Sequence, residues 1–186
     1  MEGMIGTHLV AQVGLIVKDV EATKKKWAEL LGLDVPPTQP IGDYEIIQTQ
    51  YQGKPAPEAY CWIAFFDVGP GLQLELIQPN DKPSTWRDFL VEHGEGIHHV
   101  AFQVKDSKAC VARAEAAGLK LVQRGVYGDG SGEYNYLDAP ELKCIVELLE
   151  SYKKYFIDQA WHIIGFAAKQ SRGAPKSTWD CTRREQ

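Results

Sequence analysis

Apolar and polar residues alternate in short runs along most of this chain, and glycine and proline punctuate the runs. His8 to Val17 is mostly apolar, ends in β-branched residues and has the length of a strand. Asp19 then stands where a helix N-cap belongs. From Val20 the apolar positions Val20, Trp27, Leu30 and Leu31 recur on one helical face, with Lys24, Lys25 and Glu29 off it. Gly32 closes that helix. After a proline-marked loop (Pro36, Pro37, Pro40), Tyr44 to Tyr51, Ala59 to Val68 and Leu72 to Ile77 read as strands. The turn signals Gln52-Gly53-Lys54-Pro55 and Gly69-Pro70-Gly71 separate them. This half of the pattern is βαβββ.

Pro79 to Pro83 makes a turn, Ser84 or Thr85 caps a short helix through Val91, and His93-Gly94-Glu95-Gly96 ends it. The pattern then restarts. His98 to Val104 is a strand and Asp106 or Ser107 a cap. Cys110, Val111, Ala114 and Ala117 form a helical stripe, which Gly118 ends. Leu119 to Gln123, Glu133 to Leu137 and Cys144 to Leu149 are strands, so the second half is βαβββ again. Both halves open on a strand ending in Val-Lys-Asp, Gln12 to Asp19 and His99 to Asp106. Both are answered by an apolar strand centred on a glutamate, Glu75 in one and Glu147 in the other. The expected fold is α+β: two βαβββ modules packed side by side into a curved mixed-sheet cup, plus a C-terminal helix. Residues 1–150 are expected to be one domain (module one 8–78, module two 97–150), with a helix from Tyr152 to Lys169 and a polar tail making up 151–186.

A carboxylate inside an apolar strand is costly unless something compensates it. The repeat aligns Gln12 with His99 and Glu75 with Glu147. Period-two alternation allows all four to face one concavity. Two carboxylates and two neutral donors would neutralise a divalent cation, and one imidazole with three oxygen donors suits Zn, Mn, Co or Ni. Any one of these residues alone reads as a core histidine or a solvated glutamate. Their matched positions favour ligands.

Composition narrows the alternatives. The net charge is -5, and Lys24-Lys25-Lys26, the longest basic run, sits on an amphipathic helix, so nucleic acid is not an expected partner. No run approaches the roughly 18 apolar residues of a membrane span. Met1 to Gly6 lacks the basic start and apolar run of a secretory leader. Cys61, Cys110, Cys144 and Cys181 show no metal-binding spacing and read as reduced thiols of a cytoplasmic protein.

Taken together, these motifs resemble the vicinal oxygen chelate superfamily of glyoxalases, methylmalonyl-CoA epimerases, extradiol dioxygenases and bleomycin-resistance proteins. Leu74 to Pro79, Phe89-Leu90 and Gly94-Glu95-Gly96-Ile97-His98-His99-Val100-Ala101-Phe102 look most like the epimerase branch. The resemblance spans roughly residues 8 to 150. It implies a metal held by Gln12, Glu75, His99 and Glu147, and an acid/base glutamate at Glu58, with Glu147 as its partner. It implies proton abstraction next to a carbonyl through a metal-stabilised enolate, on a small carbonyl substrate such as an acyl-CoA, in a homodimer. Gln12 stands where the epimerase branch has histidine and matches the human-type glyoxalase set. A glyoxalase-type lyase is therefore one alternative, and a non-catalytic binding or resistance protein another. Iron dioxygenase chemistry normally takes two histidines and a carboxylate, and this set has one histidine.

Overall fold

The computed structural model describes residues 3–152. The helix expected from Tyr152 to Lys169, and the tail beyond it, lie outside the described residues apart from Tyr152.

In chain order the elements are β1 (Val10–Ile16), α1 (Val20–Leu31), β2 (Gln39–Pro40), α2 (Tyr44–Ile47), β3 (Gln50–Tyr51), β4 (Lys54–Pro55), β5 (Cys61–Gly69), β6 (Leu72–Pro79), α3 (Thr85–Glu92), β7 (Gly96–Gln103), α4 (Ser107–Ala116), β8 (Lys120–Val126), β9 (Gly132–Ala139) and β10 (Cys144–Ser151). The helix starts are those the caps dictate. Asp19 accepts from the Ala22 amide at 2.9 Å, Ser84 from Arg87 at 3.1 Å and Asp106 from Ala109 at 3.0 Å. Gly32 takes the left-handed conformation that ends α1, at φ 66°.

All ten strands join one sheet in the order β2-β5-β6-β1-β7-β10-β9-β8-β3-β4. At its centre β1 and β7 run antiparallel, pairing Gln12 with Ala101, Val13 with Val100 and Gly14 with His99. A pseudo-two-fold axis therefore passes through the Val13–Val100 pair and exchanges the modules. The flanking parallel strands obey it. Gln12 pairs Gln73 and Gly14 pairs Glu75 on one side; His99 pairs Ile145 and Ala101 pairs Glu147 on the other. Both glutamates thus occupy equivalent places one strand out from the axis.

The outer face of each module carries its own helix. Val17, Val20, Ala28, Ala64, Phe66, Leu74 and Leu76 pack around α1, and Val104, Cys110, Val111, Ala114, Leu137, Val146 and Leu148 around α4. A third cluster covers the inner face and joins both modules: Ile16, Cys61 and Ile77 from the first, Val122, Tyr134 and Tyr136 from the second, and Trp86 from α3 between them. Trp86 is 2% exposed, and its Nε1 donates to the Tyr136 hydroxyl at 3.0 Å.

Two expectations need correction. The strand expected over Tyr44 to Tyr51 is the one-turn helix α2 followed by the short β3. The stretch instead closes one helical turn, with the Ile47 amide donating to the Asp43 carbonyl at 3.0 Å and the Gln48 amide to the Tyr44 carbonyl at 2.9 Å. The longer segment from 39 to 55 also serves both margins of the sheet. Its β2 pairs with β5 at one end, and its β3 pairs with β8 at the other. One segment of module one thereby covers the hydrogen-bonding edges of both modules, which would otherwise be exposed. The second correction concerns α1. It buries Val20, Lys24 and Ala28, while Leu30 is 74% exposed. Lys24 lays its stem in the core and brings its ammonium to Thr38 Oγ1 (2.8 Å) and Glu21 Oε1 (2.9 Å).

Candidate metal centre

The central strands β6, β1, β7 and β10 each carry one of the expected ligands, Glu75, Gln12, His99 and Glu147. Paired residues in neighbouring strands point to the same face. The register therefore puts Glu75 and His99 on either side of Gly14, and Glu147 and Gln12 on either side of Ala101. All four face inward and are buried, with His99 fully enclosed.

Three of them meet at one atom. His99 Nε2 lies 3.1 Å from Glu147 Oε2 and 3.4 Å from Glu75 Oε2. Yet neither His99 Nε2 nor Glu147 Oε2 makes a well-aligned hydrogen bond, so the contacts are those of charge rather than of a good donor and acceptor. Gln12 makes no side-chain hydrogen bond among the described residues, which leaves its amide oxygen uncommitted on the same face.

The electrostatics follow from burial. Desolvation alone would push the His99 imidazole down, but the two carboxylates outweigh it, Glu147 most of all, and raise it to about 10. Burial raises Glu75, and the hydrogen bond and charge of His99 oppose that rise. His98 goes the other way. Burial drives it well below its ordinary value and the charge on His99 adds to the effect. Without a metal, the pocket thus favours an imidazolium at His99, beside the buried Glu75 and Glu147.

Such a set fits a divalent cation. Two carboxylates and a neutral imidazole balance it, and donors about 2.0–2.2 Å from one ion lie about 3 Å from each other, close to the separations seen here. Among the described residues, however, no three histidine, cysteine or carboxylate groups already surround a common point. The donors touch one another instead, and loading would require His99 to release its proton and the carboxylates to part.

Space for this arrangement comes from Gly14. A Cβ there would lie 2.0 Å from His99 Cε1 and 2.3 Å from Nε2. Gly14 is absent from the positive-φ glycines, so room for the imidazole, and not backbone conformation, is what requires it. Its symmetry equivalent Ala101 is small too and fully buried. Sequence reasoning passed over both, although a small residue beside each aligned ligand was the available signal. His98 Nδ1 lies 3.0 Å from His99 Nδ1.

A sequence profile described as the Glyoxalase/Bleomycin resistance protein/Dioxygenase superfamily matches residues 11–136. The chain belongs to that superfamily. A curated relative, the ethylmalonyl-CoA/methylmalonyl-CoA epimerase of Cereibacter sphaeroides, is 25% identical over 114 residues, 61% of this chain and 73% of the relative. Among solved structures, a hypothetical protein from Bacillus halodurans matches with TM-score 0.57 at 18% identity, covering 79% of this chain and 96% of that one. Methylmalonyl-CoA epimerase from Mycobacterium tuberculosis matches with TM-score 0.56 at 22% identity, covering 83% and 93%. These structural likenesses establish the shared fold.

Within this superfamily member the remaining expected residue stands apart. Glu58 precedes β5, its side chain is 74% exposed, and it pairs with Lys82 Nζ at 3.4 Å. Phe65, not Glu58, is the β5 residue that pairs with Glu75. Glu58 lies in the turn before β5, which begins only at Cys61. Tyr136 packs tilted against His99 with centroids 5.1 Å apart, whereas Trp62 is 40% exposed and alternates with inward-facing Cys61 and Ile63. A cavity of about 100 Å³ does open elsewhere, among Gln48, Gln50, Arg124, Glu133 and Asn135, and contains none of the four candidate ligands.

Proposed function

We propose that this protein is a metal-dependent isomerase or epimerase that moves a proton next to a carbonyl, on a substrate of the acyl-CoA class. What carries the reading is the approach of Glu75 and Glu147 to the buried His99 Nε2, with His99 Nε2 and Glu147 Oε2 lacking hydrogen-bond partners. The superfamily membership and the epimerase relative support it. Gln12, Glu75, His99 and Glu147 would hold the ion, whose identity among Zn, Mn, Co and Ni the donor types leave open. A divalent ion there supplies Lewis-acid stabilisation of negative charge developing on a carbonyl oxygen, worth several kcal/mol of barrier.

The chain's own residues do the rest. Glu147 is the proposed base: its Oε2 takes the proton from the carbon beside the carbonyl and passes it to solvent. A well-placed general base contributes about 10²- to 10⁴-fold. Inversion at that carbon needs a second proton-handling group on the opposite face, and Glu58 is the candidate. In the conformation described it points to solvent, so it would act only if the segment before β5 carried it inward. Trp86, Tyr134 and Tyr136 exclude water from the inner face, which strengthens every charge interaction there.

The same reading takes residues 1–150 as the catalytic domain and 151–186 as an appendage, and the protein as a cytoplasmic homodimer. Among the described residues no helix is long and apolar enough to cross a membrane, and Cys61, Cys110 and Cys144 are free thiols.

The deciding experiment combines elemental analysis of purified protein with methylmalonyl-CoA in deuterated water. Stoichiometric metal and deuterium entering next to the carbonyl, lost in Glu147→Gln, are expected. Turnover of the methylglyoxal–glutathione adduct instead would assign a lyase. Chelator-insensitive ligand binding without exchange would leave only a binding protein.

A further inference from the structure

We infer that His98 is a positioning residue for the metal centre, holding the His99 imidazole in the tautomer that leaves Nε2 free for a cation. The inference rests on the metal-centre reading above and adds a role that reading does not contain.

The two rings are adjacent in β7 and both enclosed, 1% and 0% exposed. Neighbouring strand residues ordinarily point to opposite faces, yet the rings stand nearly perpendicular, interplanar angle 82°, with Nδ1 facing Nδ1 at 3.0 Å. Two ring nitrogens that close share one proton between them. A neutral imidazole has a single N–H. If His99 Nε2 is to give its lone pair to a cation, the proton must sit on Nδ1, and His99 must be the donor. His98 Nδ1 is then the acceptor, which puts the His98 proton on its own Nε2. Metal-binding histidines generally rely on such an outer partner for their other nitrogen, and removing it typically costs 10- to 100-fold in metal affinity.

His98 is itself held. Phe89 of α3 meets its ring edge-on at 5.3 Å, and Tyr136 meets it at 5.3 Å and 83°. Tyr136 is in turn fixed by Trp86 Nε1. The chain of contacts therefore runs from the connector helix through Tyr136 and His98 to the ligand. It gives the connector a task beyond joining the modules, that of keeping a ring aimed.

Two substitutions separate positioning from packing. His98→Asn keeps an acceptor near the place of Nδ1; His98→Leu keeps bulk and removes the acceptor. Zn²⁺ affinity is measured on the full chain by competition with a chromophoric chelator. The His99 tautomer is read from ¹⁵N shifts of the zinc-loaded protein, and thermal melts confirm folding. His98→Leu should lose about 10- to 100-fold in affinity, with mixed His99 tautomers. His98→Asn should stay within a few-fold of wild type, with the Nδ1–H signature intact. Wild-type affinity and tautomer in a folded His98→Leu would overturn the positioning role alone. So would equal losses in both variants that track their melting temperatures. Failure of wild type to take up zinc would overturn the metal-centre reading and this inference together.

Discussion

Adding one methyl group at Gly14 should separate folding from metal binding. In Gly14→Ala the new Cβ would sit 2.0 Å from His99 Cε1, 2.3 Å from Nε2 and 2.6 Å from Nδ1, where ordinary contact begins at 3.4 Å. All three atoms belong to one rigid ring, which fills a fully buried site. The ring therefore has to swing out, or the β1–β7 pairing has to part. Overpacking of this kind costs about 1–3 kcal/mol, which a domain of this size should survive. The centre should not survive it. A metal site tolerates about ±0.2 Å in its donor distances, and moving from 2.0 Å to 3.4 Å exceeds that several times over. Affinity should fall by more than the roughly 10- to 100-fold that loss of a mere orienting partner costs. Urea unfolding gives the first quantity and zinc competition the second. A second substitution tests the cause. In Gly14→Ala with His99→Ala the methyl occupies space the ring has vacated, so the two destabilisations should sum to less than their parts, with a coupling of about 0.5–3 kcal/mol. A Gly14→Ala protein that binds zinc like wild type, or strict additivity in the double variant, would refute the close-packing argument.

Four further outcomes follow from the geometry. Because His99 is raised to about 10, metal uptake near pH 7–8 should release a proton and tighten as pH rises; calorimetry in buffers of different ionisation heat reads this, and zero release would contradict the imidazolium. In the metal-free protein the sign is opposite. A group raised from 6.5 contributes its full stabilisation below that value and loses it as pH climbs through about 10, so the gap in urea midpoint between wild type and His99→Gln should shrink from pH 7 to pH 10. Trp86→Ala should cost about 3–5 kcal/mol, and Trp86→Phe, which removes chiefly the Tyr136 hydrogen bond, about 1 kcal/mol; no loss in Trp86→Phe on denaturation would mean that bond contributes little. Glu58→Gln should leave the unfolding midpoint where it was, since Glu58 is largely exposed. Its effect on deuterium exchange then decides its role, a fall of 10²-fold or more marking it as the second proton-handling group.

Much of this protein could be read from order along the chain. Caps at Asp19, Ser84 and Asp106 are local devices whose hydrogen bonds reach three residues along the chain, so their effect is visible without tertiary contacts. The duplicated opening and the glutamate-centred strands are likewise sequence periodicities. They fixed which strands would lie beside the pseudo-two-fold axis, and with them the inward face of Gln12, Glu75, His99 and Glu147. Other features depended on what came to lie opposite. The stretch from 39 to 55 reached both edges of the sheet because unpaired strand edges, not local propensity, decided its course. Lys24 was buried because Glu21 and Thr38 were there to receive its charge. Gly14 became a functional position only when an imidazole from a strand some eighty residues away crossed over it. His98 acquired an orienting role only when its ring turned toward its neighbour instead of alternating away. Periodicity assigns each side chain a face. Distances of a few tenths of an ångström between atoms of different strands, on which acid strength and metal affinity depend, belong to the packed structure alone.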